Sequence, residues 1–237
     1  MSAPKSGVHV KPLPVALCFV AGYVDVCAFI ALFGTFIAQI TGTYIIAGAS
    51  LVTHETGIAA KLMAIPVFMG GAAVATVISR IVHTRHPPPL AIGLLLEAAL
   101  LTAFLVFGLA DAETRNPNSL ANFAASIAGF AAMGVQSALV RIFYVGAPST
   151  NVMTTATSQI AIDATDVLLS RKHRHIPNVQ AAKQRLADTL PHVAAFLLGA
   201  IAGALAFGAL NWWSIVPAIA LVLVCCAAAW QITAKSQ

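Results

Sequence analysis

Two carboxylic acids stand inside long apolar stretches of the sequence, where a charged group is costly. Asp25 lies in the apolar run 13–33, and Glu97 stands alone in the run 90–110. An ionised carboxylate at the centre of a bilayer costs at least about 2.5–3.5 kcal/mol, so it must reach a cavity, find a partner or carry a proton. No lysine or arginine lies deep in another apolar run to pair with them. Both acids are therefore candidates for binding a proton or a small solute. The alternatives are a structural Asp25, hydrogen-bonded to threonine or the backbone, and a Glu97 one turn from the membrane interface.

Two threonine-rich segments interrupt the apolar sequence and form the second candidate feature. The first, 34–52, holds Thr41, Gly42 and Thr43 at its middle, and the second, 150–169, opens with Asn151 and includes Thr154. Glycine weakens a helix by about 1 kcal/mol relative to alanine, and threonine hydroxyls can bond the carbonyls that a break sets free. The pattern predicts two interrupted segments that line one site from opposite sides. Ordinary small-residue helix packing is the alternative.

A glutamine in a third apolar run adds an amide to the candidate set. Gln136 lies in the run 120–140, well away from either end. An amide in this setting either contacts a ligand or bonds across to a neighbouring helix, and the second role is the more common in membrane helices. Gln136 is kept as a candidate for the solute site, with a structural role as its alternative.

The elements that must position these residues are membrane helices. Of 237 residues, 59% are hydrophobic and 9% are charged, whereas soluble domains carry about 25% charged residues. A span needs about 20 apolar residues, and six runs meet that length: 13–33, 58–82, 90–110, 120–140, 190–210 and 212–230. The prediction is an all-α integral membrane protein, one transmembrane domain over residues 1–237, with six spans and two interrupted or re-entrant segments. Eight crossing helices are the alternative.

The charges lie in short segments between the apolar runs. Lysine and arginine number 13 against 8 aspartates and glutamates, but they form no stripe of the kind that binds nucleic acid. Cytoplasmic loops of membrane proteins are rich in lysine and arginine. With six spans and both termini in the cytoplasm, the basic loops 80–89 and 170–185 lie inside and the acidic loop 111–118 lies outside.

Motifs for enzymatic or cofactor chemistry are absent from the sequence. The four cysteines lie in apolar runs without metal-ligand spacing, and the paired histidines near 83–86 and 173–175 lie in basic loops without a companion acid or cysteine cluster. There is no phosphate-binding loop, nucleophile elbow or zinc-protease pattern. We expect no enzyme activity, no metal and no cofactor, and an ATP-driven pump is disfavoured.

The chain reads as two similar halves, approximately 13–110 and 119–232. Gly-Tyr-Val-Asp at 22–25 precedes Ile-Thr-Gly-Thr at 40–43, and Gly-Val-Gln-Ser at 134–137 precedes Met-Thr-Thr at 153–155 at a similar spacing. Internal repeats of this kind are typical of small-solute transporters whose site lies near the midplane. In the second half, Gly199 and Gly203 form a Gly-x-x-x-Gly pair, which predicts a close helix contact within the chain or at a homodimer seam.

Several of these motifs, taken in order, resemble the YoaK-like bacterial membrane proteins, which carry a domain of unknown function. The resemblance covers nearly the whole chain and rests on residues 21–25, 41–43, 94–98, 134–141 and 152–154. Thr43 and Ser137 stand where the family commonly has asparagine, and Thr155 stands where it has glycine, so the predicted centre holds fewer amides. The resemblance implies a bacterial inner-membrane protein with a permease-like build, and it supplies no substrate.

These observations predict a secondary permease or channel for a small molecule or ion, with proton coupling through Asp25 as one form of it. The alternative is a membrane-embedded interaction or lipid-associated protein without transport, in which loop 170–185 binds anionic headgroups. Expected partners are the lipid bilayer and an unidentified solute, with no nucleic acid. A homodimer is a further expectation, because six spans are few for alternating access.

Overall fold

A computed structural model describes residues 12–53, 57–82, 88–113, 116–144, 153–170 and 178–235, and every regular element in these ranges is helical. The α-helices are α1 (Pro12–Ala31), α2 (Ile40–Thr53), α3 (Ile58–Leu62), α4 (Ala64–Ile81), α5 (Pro89–Ala110), α6 (Leu120–Phe143), α7 (Met153–Leu169), α8 (Val179–Leu210) and α9 (Ile215–Lys235). The predicted all-α membrane fold is confirmed.

Five helical runs among the described residues are long and apolar enough to cross a membrane. The fifth, Val179–Gln231, contains both α8 and α9, which are separated by a short 3-10 turn at Asn211–Ser214. Asn211 has a positive φ of 53°, and the chain reverses there, so that α8 and α9 both pack against α1. The six long helices match the six predicted runs, whereas α2 and α7 are not among the candidate spans.

Four inner helices contact one another in a ring. In order around the ring these are α1, α9, α5 and α6, and α6 closes it by a short contact with α1. Outside the ring, α8 packs along α1 and α4 packs along α6. The shorter helices lie further out, with α7 against α8 and with α2 and α3 beside α4. The buried core therefore lies within the ring and along its two outer contacts.

The contact between α1 and α8 brings two backbones together through glycine. A Cβ added to Gly22 of α1 would overlap the carbonyl oxygen of Phe196 in α8. A Cβ added to Gly199 of α8 would in turn overlap the carbonyl oxygen of Phe19 in α1. On each helix the glycine comes three residues after the residue whose carbonyl is contacted: Gly22 follows Phe19 in α1, and Gly199 follows Phe196 in α8. Small residues allow such an approach, and it is the main source of close packing between helices in a membrane.

The contact between α6 and α4 has the same construction. A Cβ on Gly134 of α6 would overlap the carbonyl oxygen of Phe68 in α4, and one on Gly71 of α4 would overlap that of Ala131 in α6. The three-residue offset between glycine and carbonyl recurs on both helices. The first helix of each half thus packs against the second long helix of the other half, by the same reciprocal pair of backbone contacts.

Candidate functional site

Asp25 lies where the chain breaks between α1 and α2. Its side chain is 1% exposed, and its Oδ1 accepts hydrogen bonds from the backbone N–H groups of Ala38 at 2.7 Å and Gln39 at 3.4 Å. These amides immediately precede α2. The first N–H groups of a helix lack partners within the helix, and the positive end of the helix dipole favours a negative charge there. Asp25 of α1 therefore holds the start of α2.

Thr43 closes the same break from the other side. Its Oγ1 donates to the carbonyl oxygen of Phe36 at 2.6 Å and accepts from the backbone N–H of Phe36 at 2.8 Å. Earlier in the break, Thr35 Oγ1 donates to the carbonyl oxygen of Leu32 at 2.7 Å. The chain reverses at Phe33 and Gly34, whose φ values are 53° and 79°. Residues 32–39, together with Asp25 and Thr43, are called the α1–α2 break below.

Of the four residues predicted around this break, three come together. Asp25, Gly42 and Thr43 lie at it, and a Cβ on Gly42 would be 3.0 Å from the ring of Phe36. Thr41 is exposed on another face of α2. Asp25 and Thr43 make the backbone hydrogen bonds that a structural role requires. Sequence reasoning did not identify the amides of Ala38 and Gln39, because backbone donors leave no mark in the sequence.

Two further buried polar side chains belong to helices of the ring. Glu97 of α5 is fully buried, and neither carboxyl oxygen has a hydrogen-bond partner in the part of the chain that the structure describes. Cys225 of α9 lies within electrostatic range of it. Gln136 of α6 is also fully buried. Its Nε2 donates to the carbonyl oxygen of Leu17 in α1 at 2.7 Å, while its Oε1 lacks a partner among the described residues.

Glu97 and Gln136 lie at about the same depth along the ring. A Cβ on Gly93 of α5 would be 2.5 Å from Leu139 of α6, which fixes how these two antiparallel neighbours align. One helical turn further along α5 is Glu97, and the matching turn of α6 holds Val135 and Gln136. The carboxyl oxygens and the amide oxygen are thus unpaired acceptors at one level. Glu97, Gln136 and Cys225 are called the ring centre below.

The second interrupted segment does not meet the first at a shared site. α7 packs on α8, whereas α2 packs beside α3 and α4. Thr154 is exposed on α7, and Asn151 lies outside the described residues. The predicted arrangement of two threonine-rich segments around one solute is therefore absent from the described residues in this conformation.

An ion pair, which the sequence did not predict, attaches α7 to α8. Asp163 is 1% exposed, and the half-exposed Arg185 donates to it through Nη2 at 2.5 Å and through Nε at 3.2 Å. Gln159 Nε2 adds a bond to the same carboxyl at 3.1 Å. The Arg185 guanidinium is the main reason that the pKa of Asp163 lies below its usual range. The pair lies in the polar part of the chain that precedes the apolar run of α8. Because the two residues are 22 positions apart, on different helices, helical spacing in the sequence could not reveal the pair.

Gly199 and Gly203 lie at a contact inside the chain. Gly199 faces Phe19 as described above, and a Cβ on Gly203 would overlap the carbonyl oxygen of Tyr23. Both neighbours belong to α1, so the Gly-x-x-x-Gly pair packs within one protomer. Sequence reasoning used Gly22 and Gly134 only as markers of the repeat, although both form backbone contacts of the same type.

Two open grooves lie on the outside of the helix bundle. An apolar groove of about 580 Å³ is lined by Pro12, Val15, Ala16, Phe19, Ala195, Leu198 and Leu221. A more polar groove of about 420 Å³ between α4 and α6 is lined by Phe68, Ala72, Thr76, Ser137, Ala138, Arg141 and Ile142. Over the described residues, no group of three or more histidine, cysteine or acidic side chains is placed to hold a metal.

One of three comparisons with known proteins identifies a family, and the other two find no match. The model of a family described as a protein of unknown function, DUF1275, matches residues 13–228. No curated protein and no solved structure matches the chain. The match spans both helix crossings, the α1–α2 break and the ring centre, and it is consistent with the resemblance to YoaK-like proteins. The chain therefore belongs to the DUF1275 family of proteins of unknown function.

Proposed function

We propose that the protein is a secondary permease for a small solute, built from two duplicated halves, 13–110 and 119–232. The observation that carries this proposal is the pair of glycine crossings. Gly22 with Gly199, and Gly134 with Gly71, make the same reciprocal backbone contacts. Each crossing joins helices from different halves, as expected for a pseudo-two-fold arrangement. Transporters of this build move one unit against the other around a central site.

The two crossings define the units that would move. Direct backbone contact makes α1 with α8 one stiff unit and α4 with α6 another, because closely packed helices cannot slide without losing that contact. The units meet through the short contact between α1 and α6, which the bond from Gln136 to Leu17 bridges. Separation along this contact opens the ring toward Glu97 and Gln136. In the proposal these unpaired acceptors recognise the solute, and donor groups on the solute satisfy them.

Asp25 has a positioning role in this proposal. Because its carboxylate holds the amides that begin α2, any displacement of α1 carries α2 with it. The interrupted segment would then follow the α1–α8 unit, although it packs beside α4. Proton coupling through Asp25 loses its main support, since Ala38 and Gln39 already supply donors to the carboxylate.

The experiment is a thermal-shift screen of the purified protein against small metabolites and ions, followed by uptake of each hit into proteoliposomes. A ligand at about 100 times its Kd stabilises the folded state by roughly 2.7 kcal/mol. We expect a hit that Gln136→Leu abolishes and that the matched control Thr154→Val, on the exposed face of α7, retains. A broad panel without hits, or hits without uptake, would contradict the permease.

A lipid-associated role without transport is the second candidate function. The apolar groove of about 580 Å³ between α1, α8 and α9 favours it, because its size and lining suit an acyl chain. Leu198→Trp would fill this groove. If the protein binds lipid there, the variant loses a phospholipid that otherwise copurifies, whereas a permease keeps its uptake. Charge reversal in the basic loop 170–185 tests the headgroup contact in the same assay.

The location in the bacterial inner membrane, with both termini in the cytoplasm, belongs to the same proposal. Six long helices return the chain to the side on which it began, and the acidic stretch 111–118 then lies outside. Reporter fusions test this orientation. A phosphatase that is active only in the periplasm and a fluorescent protein that is active only in the cytoplasm are each fused after residue 113 and after residue 237. We expect phosphatase activity at the first position and fluorescence at the second, and the reverse pattern would contradict it.

A further inference from the structure

We propose that Glu97 is a proton-binding site at the ring centre and that the closed structure is its protonated form. The inference extends the proposed permease by naming the group that exchanges the coupling proton. The existence of the proton site can also be tested without any transport assay.

Burial without partners is the first step of the argument. Glu97 is 0% exposed, and neither Oε1 nor Oε2 has a hydrogen-bond partner among the described residues. Removing an ionised carboxylate from water costs several kcal/mol even after the surroundings relax, unless a counter-charge or hydrogen bonds offset that cost. A neutral carboxylic acid avoids most of this penalty. The closed ring therefore accommodates the protonated acid far better than the carboxylate.

In the part of the chain that the structure describes, the groups around Glu97 supply no counter-charge. Glu97 is the single charged residue of α5, and the cations of the described elements packed on α5 stand near the ends of those elements. Arg141 of α6 and Arg80 of α4 stand in the last turns of their helices and are exposed. The turn between α8 and α9 has no ionisable residue, and α9 has Lys235 at its final position. α9 also carries two thiols, Cys225, which interacts electrostatically with Glu97, and Cys226, whose Sγ donates to the carbonyl oxygen of Ala91.

A proton fits this site better than a metal cation does. A divalent ion takes about six or more oxygen ligands, whereas the buried side-chain oxygens without a partner in the described part of the chain are the two of Glu97 and Oε1 of Gln136. A proton needs one carboxyl oxygen and no cavity. When the ring opens to water, the carboxyl passes its proton to a water molecule and the carboxylate is hydrated. When the ring closes, a proton returns from water to the same carboxyl.

The test is infrared spectroscopy of the purified protein, which detects the C=O stretch of a protonated carboxylic acid whether or not reagents can reach it. At neutral pH we expect this band in the wild type and its loss in Glu97→Gln. The matched control Asp25→Asn should retain the band, because the amide-bonded Asp25 is a carboxylate. No such band in the folded wild type, or the same band in Glu97→Gln, would overturn the inference.

A stability measurement checks the same site independently. As the pH rises, a growing fraction of Glu97 must ionise in surroundings that penalise the charge, so the wild type should lose thermal stability relative to Glu97→Gln. A constant difference across the pH range would count against the proton site.

Proteoliposome uptake then separates the two proposals. If the infrared band is present but neither Glu97→Gln nor a pH gradient changes uptake, the proton is not coupled to transport. If uptake occurs and the band is absent, the proton site is refuted and the permease stands.

Discussion

Asp25 and Glu97 are both buried acids on inner helices, yet their surroundings are opposite. Asp25 accepts two backbone hydrogen bonds from a chain reversal 13 and 14 residues further along, whereas neither Glu97 oxygen has a partner among the described residues. The comparison shows that a buried acid in a membrane span need not be a transport residue. What separates the two acids is whether the nearby backbone supplies donors. Asp25 is bonded to the break, and in the proposal above Glu97 is the acid that exchanges a proton.

The largest expected effect comes from removing the two acids in parallel. Asp25→Leu leaves the amides of Ala38 and Gln39 unpaired, and each buried unpaired donor costs about 1–3 kcal/mol. We expect the free energy of unfolding in detergent to fall by about 2–4 kcal/mol, and by less for Asp25→Asn, whose Oδ1 still accepts. Glu97→Leu at neutral pH should cost nothing comparable, because it strands no donor. Equal losses of unfolding free energy for Asp25→Leu and Glu97→Leu would contradict the difference between the two acids.

The next effect concerns the crossing that carries Asp25. Gly22→Ala forces α1 away from the Phe196 carbonyl, and overpacking of this kind typically costs about 1–3 kcal/mol. Gly134→Ala should cost a similar amount at the crossing that carries Gln136. Gly70→Ala is the control, since a Cβ there meets nothing within 4 Å. Thermal unfolding measures all three, and tolerance of alanine at position 22 or 134 would show that the backbones are not in contact.

A smaller effect is expected from the hydroxyl that closes the α1–α2 break. Thr43→Val keeps the shape of the side chain but loses both bonds to Phe36, at a cost of about 1–2 kcal/mol. Thr41→Val is the matched control on the exposed face of the same helix, where substitutions usually stay within about 0.5 kcal/mol. Hydrogen exchange at residues 36–43 should quicken in the first variant alone. If both variants behave alike, Thr43 does not hold the break.

The smallest effect concerns Asp163, a third acid, whose partner is a cation. Its pKa in the folded protein lies below the ordinary value of about 4, because Arg185 stabilises the charged form. The pair therefore stabilises the folded protein fully above pH 4, and this stabilisation is lost as the pH falls through the lowered pKa of Asp163. We expect α7 to become more susceptible to proteolysis on acidification in the wild type, and already at neutral pH in Arg185→Gln. Arg185→Lys, which keeps the charge without the paired donors, should be intermediate, and a pH-independent wild type would refute the role.

The spans could be predicted from the sequence because a membrane helix has a fixed minimum length of apolar residues. The predicted runs 13–33 and 90–110 became Pro12–Ala31 and Pro89–Ala110. The start of α8 at Val179, eleven residues before its predicted run, could not be found in this way. Its first turns are polar, and they are helical because they pack on α7 through Asp163 and Arg185.

The candidate site was only partly predictable. The missing counter-ion of Glu97 could be foreseen, since no cation lies deep in any apolar run. The partner of Asp25 could not, because its donors are main-chain amides placed by the positive φ of Phe33 and Gly34. Likewise Gly22 and Gly134 could be aligned as repeat positions, but which carbonyl each one faces depends on how helices far apart in sequence pack.

The crossing of α1 with α8 has a consequence for how the protein is made. Gly22 and Gly199 are separated by 177 residues, so at roughly 5–20 residues per second the ribosome needs about 10–35 s to synthesise the partner of α1. During that interval α1 must stay in the bilayer with its acid. Ala38 and Gln39 emerge within a few seconds of Asp25, long before α8 exists. The α1–α2 break can thus shelter the carboxylate while the rest of the bundle is still being translated.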